Sequence, residues 1–144
     1  VEKLFGNLAS KNIAILGFAF KENTNDTRES PSIEICKNLL NEGAFLNIHD
    51  CKVTQKTINK DLTSKNNLSK RMWSYHEDVY SALEGAHAAI IMTEWDIYKT
   101  LNWERIISSV KQPFWVFDTR LILNSKEILA LGINLWQLGY GNNK

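Results

Sequence analysis

Residues 13–36, IAILGFAFKENTNDTRESPSIEIC, contain the strand, loop and helix that decide the fold. Residues 13–17 form an apolar run that ends in glycine, which is typical of a strand covered on both faces. A helical pattern follows over residues 31–41, with a serine cap and a proline at its first position. A strand followed by a helix predicts the first unit of a parallel α/β sheet.

The same alternation of strand and helix continues along the chain. Predicted strands are residues 13–17, 46–49, 88–92 and 114–117, with shorter candidates at 72–75 and 133–136. Predicted helices are residues 31–41, 78–84, 103–110 and 125–131, with a weaker surface helix inside 52–70. We therefore predict an α/β protein, a three-layer α/β/α sandwich around a mostly parallel, Rossmann-like sheet of five to six strands.

Length and composition indicate one globular domain. The chain has 144 residues, 44% of them hydrophobic and 23% charged, with a formal net charge of +1. This near-neutral balance predicts neither a nucleic acid nor an anionic membrane surface as partner. No apolar run reaches the length of a membrane span and no secretory signal opens the chain, so we predict a cytoplasmic protein.

The cysteines and histidines do not form a metal-binding pattern. The two cysteines and three histidines are dispersed, without the close spacing of a zinc site. Cys36 lies on the apolar stripe of its helix and is predicted to be a core residue. Cys51 follows a strand, but no neighbouring base is evident that would activate it as a nucleophile. We therefore predict no metal and no catalytic residue in this chain.

The first residues predict a second domain upstream. Residues 1–8 have apolar side chains at helical spacing but no N-cap before them. We expect residues 1–11 to be the end of a helix connecting to a missing upstream domain. Residues 12–144 would then form the ligand-binding domain.

Ligands of open α/β sheets bind beyond the carboxyl ends of the strands. This rule selects the segments after Gly17, Asp50, Met92 and Phe117. A dinucleotide fingerprint would need three glycines in the first segment, where Gly17 stands alone. Asp50 lies too far downstream to be the usual ribose-binding acid, so the pattern disfavours primary dinucleotide binding.

The segment between residues 18 and 30 is better suited to a phosphate-bearing ligand. Lys21 and Arg28 provide two cations close to a predicted helix N-terminus. A solvated surface loop is the alternative, but long loops in compact domains are more often functional.

Several motifs, in order and at matching spacing, resemble one known family. They are GFAFK at 17–21, TNDTRESP at 24–31, DCKV at 50–53, GAHA at 85–88, TEWD at 93–96 and FDTR at 117–120. Together they resemble the C-terminal UDP-binding domain of UDP-glucose 6-dehydrogenases, within the UDP-glucose/GDP-mannose dehydrogenase family. The resemblance covers nearly the whole chain, apart from residues 56–70.

The resemblance implies an NAD-dependent oxidoreductase as the complete protein. Such enzymes oxidise UDP-glucose to UDP-glucuronate with two NAD, through a cysteine thioester. The N-terminal NAD-binding domain and the nucleophilic cysteine precede the region that this chain resembles. The resemblance therefore implies a fragment that is inactive without the missing N-terminal domain. It also implies that the complete enzyme is a homo-oligomer.

The resemblance also implies roles for individual residues. Phe20, Lys21 and Arg120 match positions that bind the UDP-sugar substrate, and Arg28 matches a position that reaches toward NAD held by the other domain. Two positions depart from the family pattern: Cys51 replaces a usual proline, and Thr119 stands where many relatives have glycine. Threonine would be strained there if the turn required a positive φ.

Alternatives remain at the level of substrate and of function class. GDP-mannose and UDP-N-acetylmannosamine dehydrogenases share the loop pattern, whereas Thr27 and residues 93–95 favour the UDP-glucose type. A stand-alone nucleotide-binding or regulatory α/β module is the other reading, and the interrupted first helix argues against it. Residues 94–96 are expected to begin a helix capped by Thr93, with the tryptophan in the core.

Overall fold

The computed structural model describes residues 10–19, 31–62, 72–137 and 141–143. Its strands are β1 (Asn12–Leu16), β2 (Phe45–His49), β3 (Trp73–Tyr75), β4 (Ala88–Ile91), β5 (Trp115–Asp118), β6 (Asn134–Gln137) and β7 (Gly141–Asn143). Its helices are α1 (Pro31–Asn41), α2 (Gln55–Leu62), α3 (Val79–Leu83), α4 (Asp96–Lys99), α5 (Trp103–Ile107) and α6 (Ser125–Ala130). The N-cap predicted at Ser30 lies outside these residues.

The strands form one sheet in the order β3-β2-β1-β4-β5-β6-β7. The first six strands of the chain pair in parallel, and β7 pairs antiparallel with β6. The predicted α/β class and Rossmann-like sheet are confirmed, and the short β7 is a strand that the sequence pattern did not indicate. The order of the six parallel strands is that of a doubly wound dinucleotide-binding fold, with its switch point between β1 and β4.

Helices cover the sheet because its central strands are apolar on both faces. In β1 the four residues Ile13, Ala14, Ile15 and Leu16 have no solvent-exposed surface. Successive side chains of a strand point to opposite faces, so this burial requires a layer on each side. The predicted three-layer arrangement follows from that pattern.

Local signals in the sequence determine where several helices begin and end. Asp78 caps α3 by accepting a hydrogen bond from the Ser81 N–H, and Asn124 caps α6 through two backbone N–H groups. After α1 the chain turns at Gly43, whose φ is 91°. α5 ends at Ile107, three residues earlier than the sequence pattern indicated.

One predicted cap is wrong. Thr93 does not cap α4: the N-cap is Trp95, which makes no side-chain capping bond. The Thr93 hydroxyl instead donates to the carbonyl oxygen of Ala19, 3.0 Å away. The two residues meet because β4 pairs with β1 and the two strands end side by side.

Within the described ranges, no helix is long and apolar enough to cross a membrane.

Candidate functional site

The exits of β1, β2, β4 and β5 meet at the carboxyl edge of the sheet, as parallel pairing requires. Polar side chains at these exits bond to one another's backbone instead of pointing into solvent. Asp50 and Asp118, at the ends of β2 and β5, are 3% and 0% exposed. Each organises one part of the edge.

The Asp50 carboxylate joins three exits. Its Oδ2 accepts from the backbone N–H of Phe18 at 2.7 Å, from that of Ala19 at 3.0 Å and from the Trp95 indole N–H at 3.0 Å. Its Oδ1 accepts from the N–H groups of Lys52 at 2.8 Å and Val53 at 2.9 Å. These N–H donors satisfy the hydrogen-bonding capacity of both oxygens of this buried carboxylate.

This arrangement does not fit a dinucleotide cradle. Asp50 occupies the end of the second strand, where such folds place a ribose-binding acid, but its oxygens are taken up by internal donors. Gly17 has a backbone φ of 103°, which residues with a side chain rarely adopt. The adjacent Thr93 also leaves no room for a side chain at this position. Gly17 therefore serves close packing of β1 against the β4 exit rather than a glycine-rich phosphate turn.

Asp118 holds the turn that carries Arg120. Its carboxylate accepts from the backbone N–H groups of Arg120, Ile122 and Leu123, at 3.2, 3.3 and 2.9 Å. The Gln137 side-chain amide also donates to it, at 2.9 Å. The turn is thus fastened to the interior of the sheet by a buried acid.

The Arg120 side chain extends from this turn toward the β4 exit. Its Nε donates to the carbonyl oxygen of Met92 at 3.0 Å, and its Nη1 lies 3.8 Å from Oε1 of Glu94. The side chain is 30% exposed, so the guanidinium is oriented by the protein while part of it reaches solvent. An arginine held in this way is suited to binding a phosphate or carboxylate.

Thr119 does not have the backbone strain that its replacement of glycine suggested. Among the described non-glycine residues the positive φ angles belong to Ser10 and Leu121, at 64° and 58°. The Thr119 hydroxyl donates to the Ile91 carbonyl oxygen and continues the pairing of β5 with β4. The departure from the family pattern therefore leaves the Arg120 turn in place.

His49 lies beneath the edge in the interior. Its Nδ1 is 2.7 Å from the hydroxyl of the fully buried Tyr98. Burial lowers the pKa of His49, and the negative charges of Asp50 and Asp78 oppose part of that effect. A neutral imidazole packed against tyrosine is a structural element of this edge.

Neither cysteine has the surroundings of a nucleophile. Burial raises the pKa of the Cys36 thiol, which has no exposed surface. Partial burial and the nearby Asp50 charge raise the pKa of Cys51 to about 11. No group of three or more His, Cys, Asp or Glu side chains able to hold a metal occurs in the ranges described.

The structure therefore places one of the predicted ligand residues, Arg120, at the carboxyl edge. Phe20, Lys21 and Arg28 lie outside the described residues. Sequence reasoning missed the roles of Asp50 and Asp118 as anchors of neighbouring turns. The available signal was an aspartate directly after each apolar strand.

Comparison with known proteins identifies the class. The profile of the UDP-glucose/GDP-mannose dehydrogenase family, UDP binding domain, matches residues 14–125. Because this match covers most of the chain, the chain belongs to that family, and the resemblance found in the motifs is confirmed.

Individual relatives agree with this membership. The chain is 42% identical to a UDP-glucose 6-dehydrogenase of Drosophila melanogaster and 43% identical to one of Bos taurus, over 96% of its own length in both comparisons. It spans 30% and 29% of the lengths of those two proteins.

Solved structures give the same fold. A UDP-glucose dehydrogenase from Pyrobaculum islandicum matches 84% of this chain and 24% of its own, with a TM-score of 0.66 and 29% identity. A UDP-D-ManNAc dehydrogenase from Pyrococcus horikoshii matches 99% of this chain and 28% of its own, with a TM-score of 0.74 and 26% identity.

Proposed function

We propose that this chain is the UDP-sugar-binding domain of a UDP-glucose 6-dehydrogenase. The proposal rests mainly on the position of Arg120. This side chain is held at the carboxyl edge by the Met92 carbonyl oxygen and by the turn that Asp118 anchors. It lies on the side of the sheet where doubly wound folds bind their ligands. Membership of a family defined by UDP binding supports the same assignment.

Phe20, Lys21 and Arg120 are the proposed substrate-binding residues. Lys21 follows the β1 exit by a few residues, and the β1 exit is bonded to the same β4 segment that Arg120 contacts. Lys21 follows β1 and Arg120 follows β5, the two strands on either side of β4. Two cations there suit a diphosphate, because charge-assisted hydrogen bonds to phosphate oxygens are strong. Phe20 would add an apolar contact beside them.

NAD is proposed to bind mainly to the N-terminal domain of the complete protein, with Arg28 reaching toward it. Two features of the described edge support binding of NAD by the other domain. The oxygens of Asp50 accept hydrogen bonds from within the chain, and Gly17 lies against Thr93, so neither residue forms part of a dinucleotide cradle. Residues 1–11 are proposed as the connection to that domain, and residues 12–144 as the UDP-sugar domain.

The complete enzyme is proposed to oxidise UDP-glucose to UDP-glucuronate with two NAD. The chain itself is proposed to be inactive, because the raised pKa of each cysteine argues against a nucleophile here. The identities of 42% and 43% to proteins named UDP-glucose 6-dehydrogenase favour that substrate over GDP-mannose or UDP-N-acetylmannosamine.

Two further expectations belong to the complete protein. A cytoplasmic location is supported by Cys36 and Cys51, which are both free thiols. The homo-oligomer implied by the family resemblance stays a prediction.

Calorimetric titration of the 144-residue chain with UDP tests the proposed function. We expect Lys21→Ala to weaken UDP binding by about 1.5–3 kcal/mol, the range of a charged hydrogen bond. Lys99→Ala is the matched control, since Lys99 forms a surface ion pair with Asp96 at 3.4 Å on α4. Arg28→Ala should leave UDP binding nearly unchanged, because its proposed role concerns NAD.

Three results would contradict the proposal. If the chain did not bind UDP, it would not be a UDP-sugar-binding domain. Equal competition by UDP and GDP would refute the assignment of the base. NAD reduction by the chain alone with UDP-glucose would place catalysis among residues that we consider structural.

A further inference from the structure

We propose that Asp50 and Trp95 are positioning residues for UDP-sugar binding. Their hydrogen bond supports the carboxylate that holds Phe18 and Ala19, the residues that precede Phe20 and Lys21 in the sequence. The inference rests on the proposed function, since it assigns those two residues to the ligand.

Asp50 contacts the backbone directly before the proposed ligand residues. Oδ2 of Asp50 holds the backbone N–H groups of Phe18 and Ala19, the two residues directly before Phe20. These bonds hold the backbone of the last two residues before the proposed ligand residues in the sequence. Asp50 thus acts on the ligand residues through the chain and not by contact with the ligand.

Trp95 supports the Asp50 carboxylate. Its indole N–H donates to the same Oδ2 at 3.0 Å, and the side chain is only 5% exposed. Water has little access to replace this bond, so its loss would leave the Asp50 oxygen short of a donor in the interior. Trp95 therefore helps to keep Oδ2 directed at the β1 exit.

A third contact also holds the exit of β1. The Thr93 hydroxyl donates to the Ala19 carbonyl oxygen at 3.0 Å, so Ala19 is bonded through both its N–H and its C=O. The Ser32 hydroxyl donates to the Gly17 carbonyl oxygen at 3.2 Å. Because Ser32 lies in the first turn of α1, this bond ties together the chain before and after residues 20–30.

The segment after β4 also connects this anchor to Arg120. Met92 accepts the Arg120 Nε bond, and Glu94 lies 3.8 Å from the same guanidinium. Residues 92–95 therefore contact both the exit that leads to Lys21 and the side chain of Arg120. A shift of Trp95 would therefore disturb the contacts of this segment with Ala19 and with Arg120.

The test compares two tryptophan variants of the 144-residue chain by titration with UDP. Trp95→Phe removes the indole N–H, whereas Trp103→Phe is the matched control. Trp103 is 3% exposed, on α5, and no hydrogen bond of its indole is found in the structure as described. We expect Trp95→Phe to weaken UDP binding about tenfold, and Trp103→Phe to change it less than about twofold.

A double-mutant cycle separates positioning from general loss of stability. Lys21→Ala should weaken UDP binding at least about tenfold in the original chain, but clearly less in the Trp95→Phe background. Thr93→Val, which keeps side-chain shape and removes the other bond to Ala19, should weaken UDP binding in the same direction. This second variant tests the proposal if Trp95→Phe fails to fold.

The outcomes distinguish the two levels of the proposal. Equal UDP affinity in Trp95→Phe and Trp103→Phe, or in Thr93→Val and the original chain, would overturn the positioning role alone. Full additivity of Trp95→Phe and Lys21→Ala would do the same. Failure of the original chain to bind UDP would overturn the proposed function, and the positioning role with it.

Discussion

Gly17 and Thr93 lie so close together that a Cβ added to Gly17 would be 2.5 Å from Cβ of Thr93. The contact brings the exit of β1 against the exit of β4, at the switch point of the sheet. Gly17 also has a φ of 103°, which side chains of L-residues rarely adopt. Close approach and backbone conformation therefore require glycine independently.

Gly17→Ala should reduce the free energy of unfolding by more than about 2 kcal/mol, because it combines a clash with backbone strain. Gly132→Ala is the matched control: its φ is 82°, but nothing lies within 4 Å of the added Cβ. We expect a loss of about 1 kcal/mol there, from strain alone. Urea unfolding measures both, and equal losses would show that the Thr93 contact is unimportant.

Asp118→Asn should destabilise the protein and displace Arg120. The new side-chain NH₂ would face N–H groups that now donate to Asp118, leaving buried donors unpaired at a cost of about 1–3 kcal/mol. UDP affinity should fall as well, because the Arg120 turn loses its anchor. Asp96→Asn is the control, since the Asp96 side chain is 99% exposed. Equal stability and UDP affinity in the two variants would refute the anchoring role.

Stability should fall as the pH decreases through the histidine range. Burial lowers the pKa values of His49, His76 and His87 below the usual 6.5. The unfolded chain then binds protons at a higher pH than the folded chain, so stability rises with pH in this window. The stabilisation is present above about pH 6.5 and is lost as the pH falls through the lowered pKa values.

Urea unfolding at pH 7.5, 6.5 and 5.5 measures this dependence. His49→Gln removes one of the titrating groups and should make the dependence shallower. A midpoint that rises on acidification would show that the signs of the histidine shifts are wrong.

Thiol labelling should be slow at Cys51 and absent at Cys36 in the folded protein. A rise in the pKa of Cys51 from 9.0 to about 11 makes its thiolate fraction about 100-fold smaller at pH 8. Cys36 has no exposed surface and should react only after unfolding. Absorbance of the released thionitrobenzoate measures both rates, and Cys51→Ser should remove the slow phase without changing UDP binding. Rapid labelling at pH 8 would instead indicate an activated thiol.

The class of fold and most of its elements follow from the amino-acid sequence alone. Apolar strands alternating with amphipathic helices require a parallel sheet between two helical layers. Capping residues such as Asp78 and Asn124 bond to backbone N–H groups only two or three residues further along the chain. The motifs also identified the family. These features depend on local pattern, which is why they could be predicted from the chain alone.

The bonding partners of the polar residues at the strand exits depend instead on how the strands are ordered in the sheet. Thr93 was expected to cap the next helix, yet it bonds to Ala19, 74 residues away in sequence. Asp50 reaches Trp95 across 45 residues, and Gln137 reaches Asp118 across 19. Such partners are brought together by strand order, and no local pattern in the sequence records which exits become neighbours.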